Sequence, residues 1–436
     1  MILYKLRLHV QPAFTDSHLA SLALIPERKF MIIVKMPKKS IAAVFAGVLA
    51  LGTLSATQVA EAKVDFCKVT DLKSAGGMDA LVAAAKKEGK LNLITTPRDW
   101  AGYGQMFDIY EKAFGVKITV DNPDGSSQYE IDTMKTAPKS KQPDSIDIGP
   151  LVVAQLQPPG AKPLSAPYKV ATWNDIPNSA KDANGYWYGN YAGRLAIVYT
   201  SDLTPAPTKA SDLKNPAYKG VVGITGDPTS SNQAFMSVVA ASLGNGGNVN
   251  LSDVSPGLKL FKEIKTVNGA LVKVNGTNLV SGAAKVGFAW DFNSIGWTAA
   301  AAQAGINLKW VYPSDFVLQA PPYINAINAK APNCANARLW QEYVYSQNEG
   351  KTADEITAAD IKLPGSKLFA KIRGGQNIFQ RNAARPVTAD VMEKKGTLPA
   401  SQVAITMPAT AKVIKNMSIA DILSAREQII GTWASL

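Results

Sequence analysis

The chain has 436 residues, 46% of them apolar, and a formal net charge of +12, enough length for more than one hydrophobic core. Its two histidines, His9 and His18, lie near the start, so the remainder holds no Ser-His-Asp or Cys-His nucleophile, no H-E-x-x-H zinc site and no imidazole general base. Lys and Arg are scattered, without a basic run interleaved with aromatics, which argues against a nucleic-acid partner; catalysis by carboxylates or lysine stays open.

Met36-Pro37-Lys38-Lys39 is a short basic segment, residues 41–54 are a small-residue apolar run, and Ala60-Glu61-Ala62 is an A-x-A cleavage site. These are the three parts of a secretory signal peptide over about 36–62. The apolar run is shorter than the roughly 20 residues a membrane-spanning helix needs. Residues 1–35 read as an upstream extension, and the exported, periplasmic protein is expected to start at Lys63. Removing residues 1–62 takes away seven basic and three acidic side chains and leaves 39 and 31. The field of such a chain favours anionic ligands weakly. Cys67 and Cys334 are the chain's two cysteines. In an oxidising compartment that number makes one disulfide, the alternative being two separate buried thiols.

From Lys63 the apolar spacing predicts a helix over 78–88 and a strand over 90–95, whose exit is Thr95-Thr96-Pro97-Arg98. A second amphipathic helix spans 103–114, a second strand 116–120, and a helix entry follows at Ser126-Ser127. Residues 145–149, S-I-D-I-G, are a third strand. Strands alternating with helices, with polar turns at the strand ends, read as an open parallel sheet whose crevice lies along those ends. After a Pro-rich passage, residues 186–200 are extended and carry the chain, through Arg194, into a second lobe. There the strand 221–225 runs through Gly226, Pro228, Thr229, Ser230, Ser231 and Asn232 into a helix carrying Phe235, Val238 and Val239. A helix start so rich in capping residues presents unpaired N–H groups and the positive end of the dipole, a seat for a small anion. The alternative is that Ser230 or Ser231 only caps its own helix. Another helix over 258–265, the loop Asn275-Gly276-Thr277, a strand over 286–290, a return strand over 316–327, a helix over 338–346 and a last helix over 420–433 complete the pattern.

The order E-G-K-L-N-L-I-T, S-I-D-I-G, G-R-L-A-I-V-Y-T-S-D-L, S-D-L-K-N-P-A-Y-K-G-V-V-G-I-T-G-D-P and A-R-L-W-Q-E-Y-V-Y-S resembles the periplasmic substrate-binding proteins of ABC importers. The likeness is greatest to the branch that contains ferric-ion, polyamine and aminophosphonate binders. It implies a two-lobed, type II-like α/β fold, each lobe an open sheet flanked by helices. The expected first lobe is 63–194 with 318–350, and the second 195–317 with 351–436. It also implies a cleft for a small solute and an inner-membrane permease as partner.

In ferric binders of this branch a Thr-x-Ser-Asn helix start holds an anion, which Thr229 to Asn232 match, assisted by an asparagine that Asn275 matches. The adjacent tyrosines that hold the metal are replaced by Trp290-Asp291-Phe292, which argues against ferric iron. Polyamine binders are similar in placing a tryptophan at the position of Trp290. Asp291 beside it could hold an ammonium by ion pairing and cation–π attraction, the alternatives being core packing for Trp290 and a structural cap for Asp291. Thr96, Arg98, Ser126, Ser127, Arg194 and Tyr323 complete the expected ligand set, with Arg98 or Arg194 gripping a phosphonate or carboxylate. The reading is therefore a monomeric, non-enzymatic binder of a small anionic or zwitterionic organic solute, with no cofactor, catalytic residue or resident metal. A polyamine or ferric carrier and a secreted carboxylate-dependent hydrolase are the alternatives.

Overall fold

The computed structural model describes residues 64–378, 412–414 and 417–436. The expected signal peptide, the extension before it and residues 379–411 of the expected second lobe lie outside the described residues. Lys63–Leu436 forms one compact unit.

The first half begins with α1 (Gly77–Glu88), β1 (Lys90–Ile94), α2 (Tyr103–Phe114), β2 (Lys117–Asp121), α3 (Ser127–Thr136) and β3 (Ser145–Ile148). Helix α2 shows why the local pattern suffices. Tyr103, Met106, Phe107, Tyr110, Ala113 and Phe114 recur at helical spacing and are buried together. The helix stops at Gly115, whose φ of 64° is left-handed and whose N–H donates back to the Glu111 carbonyl, a conformation glycine adopts without a Cβ penalty. Short strands β4 (Ser165–Ala166) and β5 (Tyr188–Gly189) follow. The second half contains β6 (Leu195–Thr200), β7 (Val222–Ile224), α4 (Asn232–Gly244), α5 (Ser255–Asn268), β8 (Val272–Lys273), α6 (Gly276–Ser281), β9 (Val286–Trp290), α7 (Asp291–Gln303) and β10 (Leu308–Val311). Next come β11 (Phe316–Leu318), β12 (Ile324–Asn328), α8 (Cys334–Tyr345), α9 (Ala358–Ile361), α10 (Gly365–Lys371), β13 (Lys412–Ile414) and α11 (Ile419–Thr432).

Strands β1 and β2 pair in parallel. A separate sheet has the order β3-β12-β4, with β5 also on β12, and a five-stranded sheet has the order β10-β6-β9-β7-β8. The alternation suggested parallel sheets, and β7 does run parallel to β8 and β9, but the two larger sheets also contain antiparallel pairs. Strand β12 runs antiparallel to β3, β4 and β5, and β6 runs antiparallel to β9 and β10, because each is a segment carrying the chain from one half to the other. The single return strand expected over 316–327 is two strands. Pro321 and Pro322, without N–H donors, interrupt the ladder between β11 and β12.

The C-terminal portion also departs from expectation. Residues 351–378 pack on α1, α2 and α8, with Ser366 N–H donating to Asp79 Oδ1 at 2.7 Å. They thus sit with the first half, whereas α11 packs both on Pro150–Leu156 of the first half and on α4 and α5 of the second.

Cys67 and Cys334 form a disulfide across 267 positions of sequence. Beside it the buried guanidinium of Arg338 donates to the carbonyls of Val69 (3.0 Å), Cys67 (3.0 Å) and Cys334 (3.2 Å). The segment after Lys63 is thereby held on α8 by one covalent bond and two charge-assisted hydrogen bonds, the third lying within α8 itself. Replacing both cysteines by serine should lower unfolding stability by about 2–5 kcal/mol, read from urea midpoints. A pair of thiols that label readily in the native protein would contradict the pairing.

Candidate functional site

The loops leaving β1, β2 and β3 meet those leaving β7, β8 and β9 around a cavity of about 100 Å³. On the first side, Thr95 leaves β1 with φ +47°, a region β-branched residues rarely adopt. Its hydroxyl donates to the Glu130 carboxylate. Glu130 also accepts from Asp147 N–H at 2.9 Å, and burial, aided by the Asp147 charge, pushes its carboxyl well above the usual range. Asp147 Oδ2 accepts from the hydroxyls of Tyr103 (2.5 Å) and Tyr191 (2.7 Å), and the Trp100 indole donates to Tyr191 at 2.5 Å. Trp100 and Tyr323 meet edge to face in the wall, their ring centres 5.8 Å apart.

Ser126 caps α3 by accepting from Tyr129 N–H (3.2 Å), and Ser127 Oγ accepts from Gly149 N–H (2.9 Å). Both line the cavity.

On the second side the turn after β7 is organised by Asp227. Its carboxylate accepts from the N–H and hydroxyl of Thr229 (2.8 and 2.7 Å), and its carbonyl accepts from the N–H groups of Ser230 and Ser231 (3.1 and 2.7 Å). Thr229 and Ser230 are therefore spent on the turn and do not line the cavity, contrary to expectation. Ser231 does, as the residue before α4 whose side chain caps nothing. Asn232 follows, 2% exposed. Its amide lies near the Tyr323 hydroxyl, whose pKa burial pushes up against the opposing pull of this neighbour, yet neither Oδ1 nor Nδ2 makes a hydrogen bond of proper geometry. The Thr225 hydroxyl and Asn293 Nδ2, also in the lining, are likewise without partners. Asn275 caps α6 by accepting from Asn278 N–H (2.8 Å) and faces the cavity.

Of the residues expected from the sequence, Ser126, Ser127, Ser231, Asn232, Asn275 and Tyr323 come together here. The others do not. Arg98 is ion-paired with Asp108, ten residues along on α2, and is largely exposed. Thr96 is buried away from the lining. Trp290 is fully buried, its indole donating to Tyr323 at 3.1 Å. Asp291 is the structural cap: it accepts from the N–H groups of Arg194 (3.2 Å) and Phe292 (2.9 Å) and from the Tyr312 hydroxyl (3.0 Å). Arg194 lies beside it, where its charge steadies the Asp291 carboxylate, and is not part of the lining.

Sequence reading missed Thr95, Trp100, Glu130, Asp147, Thr225 and Asn293. Asp147 had a signal, a lone carboxylate inside an apolar strand. Glu130 was masked, because Ser127-Gln128-Tyr129-Glu130 has the spacing of a capping box although its carboxylate turns inward. The lining carries the carboxylates Asp99, Asp124, Glu130 and Asp147 against one cation, Lys273. Lys273 Nζ lies 3.9 Å from Asp124 Oδ2 across the mouth, both half-exposed, so the pair contributes roughly 0–1 kcal/mol.

Burial raises the Asp291 carboxyl to about 6, against the opposing pull of Arg194 and its three donors. A carboxyl raised on folding stabilises fully below its unfolded pKa, and that contribution is lost as pH rises through about 6. Asp291→Asn should therefore abolish a stability loss of roughly 3 kcal/mol between pH ~4 and ~7, seen in denaturant midpoints, and leave solute affinity unchanged. An unaltered pH slope would contradict the assignment.

Residues 160–371 match the model of the bacterial extracellular solute-binding proteins. No curated protein matches the chain. Solved structures with the same fold include the periplasmic binding protein P5PA, 18% identical, TM-score 0.53, covering 80% of this chain and 99% of that one. AfuA from Actinobacillus pleuropneumoniae, with fructose-6-phosphate bound, is 17% identical with TM-score 0.53, over 80% and 98%. AgtB from A. tumefaciens R10, in complex with agropinic acid, is 16% identical with TM-score 0.53, over 80% and 98%. With two sheet systems whose strand-end loops enclose one polar cavity, and with that match, the chain has the fold of periplasmic binding proteins and over residues 160–371 is similar to the bacterial extracellular solute-binding proteins.

Proposed function

We propose that this protein is the periplasmic solute-capture component of an ABC import system and that its solute is a small zwitterion, an organic carboxylate or phosphonate that also bears an amine. The observation that carries this reading is the set of buried polar atoms of Thr225, Asn232 and Asn293 that face the cavity without partners. Leaving such atoms unsatisfied costs about 1–3 kcal/mol each, so a polar guest that bonds them is favoured over water-free closure. The N-termini of α3 and α4 open into the same space and favour negative charge there. A wholly anionic guest is disfavoured by the acidic lining, with Asp147 and the aromatic faces of Trp100 and Tyr323 suited to an ammonium.

A guest that touches both halves stabilises the closed form by its differential affinity, and the closed form docks on an inner-membrane permease. The protein works as a monomer and leaves its guest unchanged. The four acidic side chains in the lining favour one rival, a polyamine. In titration calorimetry, aminoethylphosphonate and beta-alanine should bind more tightly than ethylphosphonate, which lacks the amine, and putrescine, which lacks the acid. Tight putrescine binding would establish the polyamine instead, and turnover of the bound compound would favour a hydrolase. Ser231→Ala combined with Asn232→Ala should weaken the preferred compound roughly 10- to 100-fold with an unchanged far-UV spectrum. Equal affinity in that variant removes α4 from the site.

A further inference from the structure

Gly149 ends β3 on one side of the cavity, and Asn232 opens α4 on the other. The backbone at Gly149, φ −69° and ψ 156°, is one that any residue adopts, so conformation does not require glycine there. Space does. A Cβ at this position would lie 2.2 Å from Asn232 Cγ and 2.3 Å from Asn232 Cβ, far inside contact distance. Rotating the Asn232 amide relieves the first clash but not the second, because Cβ moves only with the α4 backbone.

Gly149 cannot retreat either. Its N–H is held by Ser127 Oγ at 2.9 Å, and the following residue, Pro150, confines it to extended backbone.

We propose that Gly149 is the positioning residue for solute capture: the missing side chain sets how near the α4 N-terminus comes to β3, and hence whether Asn232 reaches a guest held from the other side. This rests on the capture reading above. Any side chain at 149 holds the two halves apart by roughly an ångström or more at this point. Displacements of that size misalign bridging groups, so a guest contacted from both sides loses one set of contacts.

The test places nitroxide labels at Lys117→Cys and Lys262→Cys, exposed positions on β2 and α5, in the full chain. Inter-label distances are measured with and without aminoethylphosphonate, whose affinity is measured in parallel. Gly149→Ala should shift the distances to longer values and weaken binding at least tenfold, with thermal unfolding still cooperative. Gly149→Ala with Asn232→Gly, which removes both clashing groups, should restore the wild-type distances without restoring full affinity, since the amide is gone. A Gly149→Ala protein that keeps the short distance, a double variant that stays open, or a wild type that never shows the short distance would overturn the proposal. If no probe binds the wild type, the zwitterion reading fails, while the distances still decide the role of Gly149.

Discussion

Burying a polar atom away from water without a partner costs about 1–3 kcal/mol, and most buried polar groups in folded proteins avoid that cost. Here the atoms that do not avoid it include those of Thr225, Asn232 and Asn293, and all three residues face the cavity between the strand ends. The rest of the molecule can be understood as what holds that cavity in shape. Ser126 and Asn275 have spent their side-chain oxygens on helix caps, which orients the backbone around the site without requiring anything of a guest. Ser231, in the same position before α4, and Asn232, the first residue of that helix, have not.

Carboxylates form the framework behind the cavity wall. Asp144 accepts from Asn92 N–H (2.7 Å) and from both the N–H (2.7 Å) and side-chain amide (2.9 Å) of Asn333, joining β1, β3 and the start of α8. Burial raises it to about 7 in spite of those bonds. Glu342 likewise sits near 7, raised by burial while holding Ala171 N–H and the Tyr168 hydroxyl. Such groups stabilise little in net terms but leave few alternative arrangements, since each must keep its donors or protonate. The disulfide and Arg338 act on the same helix, so the start of α8 is tied to residues 67–69 by covalent and charged contacts together.

How much of this was legible in advance depends on the range of the interaction. Helix α2 was placed residue for residue because its buried stripe and its terminal glycine are local features. Compartment and number pointed to a Cys67–Cys334 pair but left two separate thiols open, and the proximity of the two residues in the fold selects the disulfide. Parallel sheets were expected because strand–helix alternation is also local, but β6 and β12 carry the chain between halves and so run antiparallel to their neighbours. Asp291 has the neighbours of a ligand in sequence, between Trp290 and Phe292, yet packing turns it toward backbone donors and Tyr312.

By itself, then, the order of amino acids determined the strongly periodic elements such as α2, where many of the polar strand ends fall, that no histidine chemistry operates beyond His18, and that at most one disulfide can form within the chain. Only the tertiary structure decided which of those polar ends face the cleft. Arg98 and Ser231 look equally available in the sequence, but one meets Asp108 on the neighbouring helix and the other meets an open cavity. That choice is made by sheet assembly and by side-chain partners from distant segments, which no short-range pattern records.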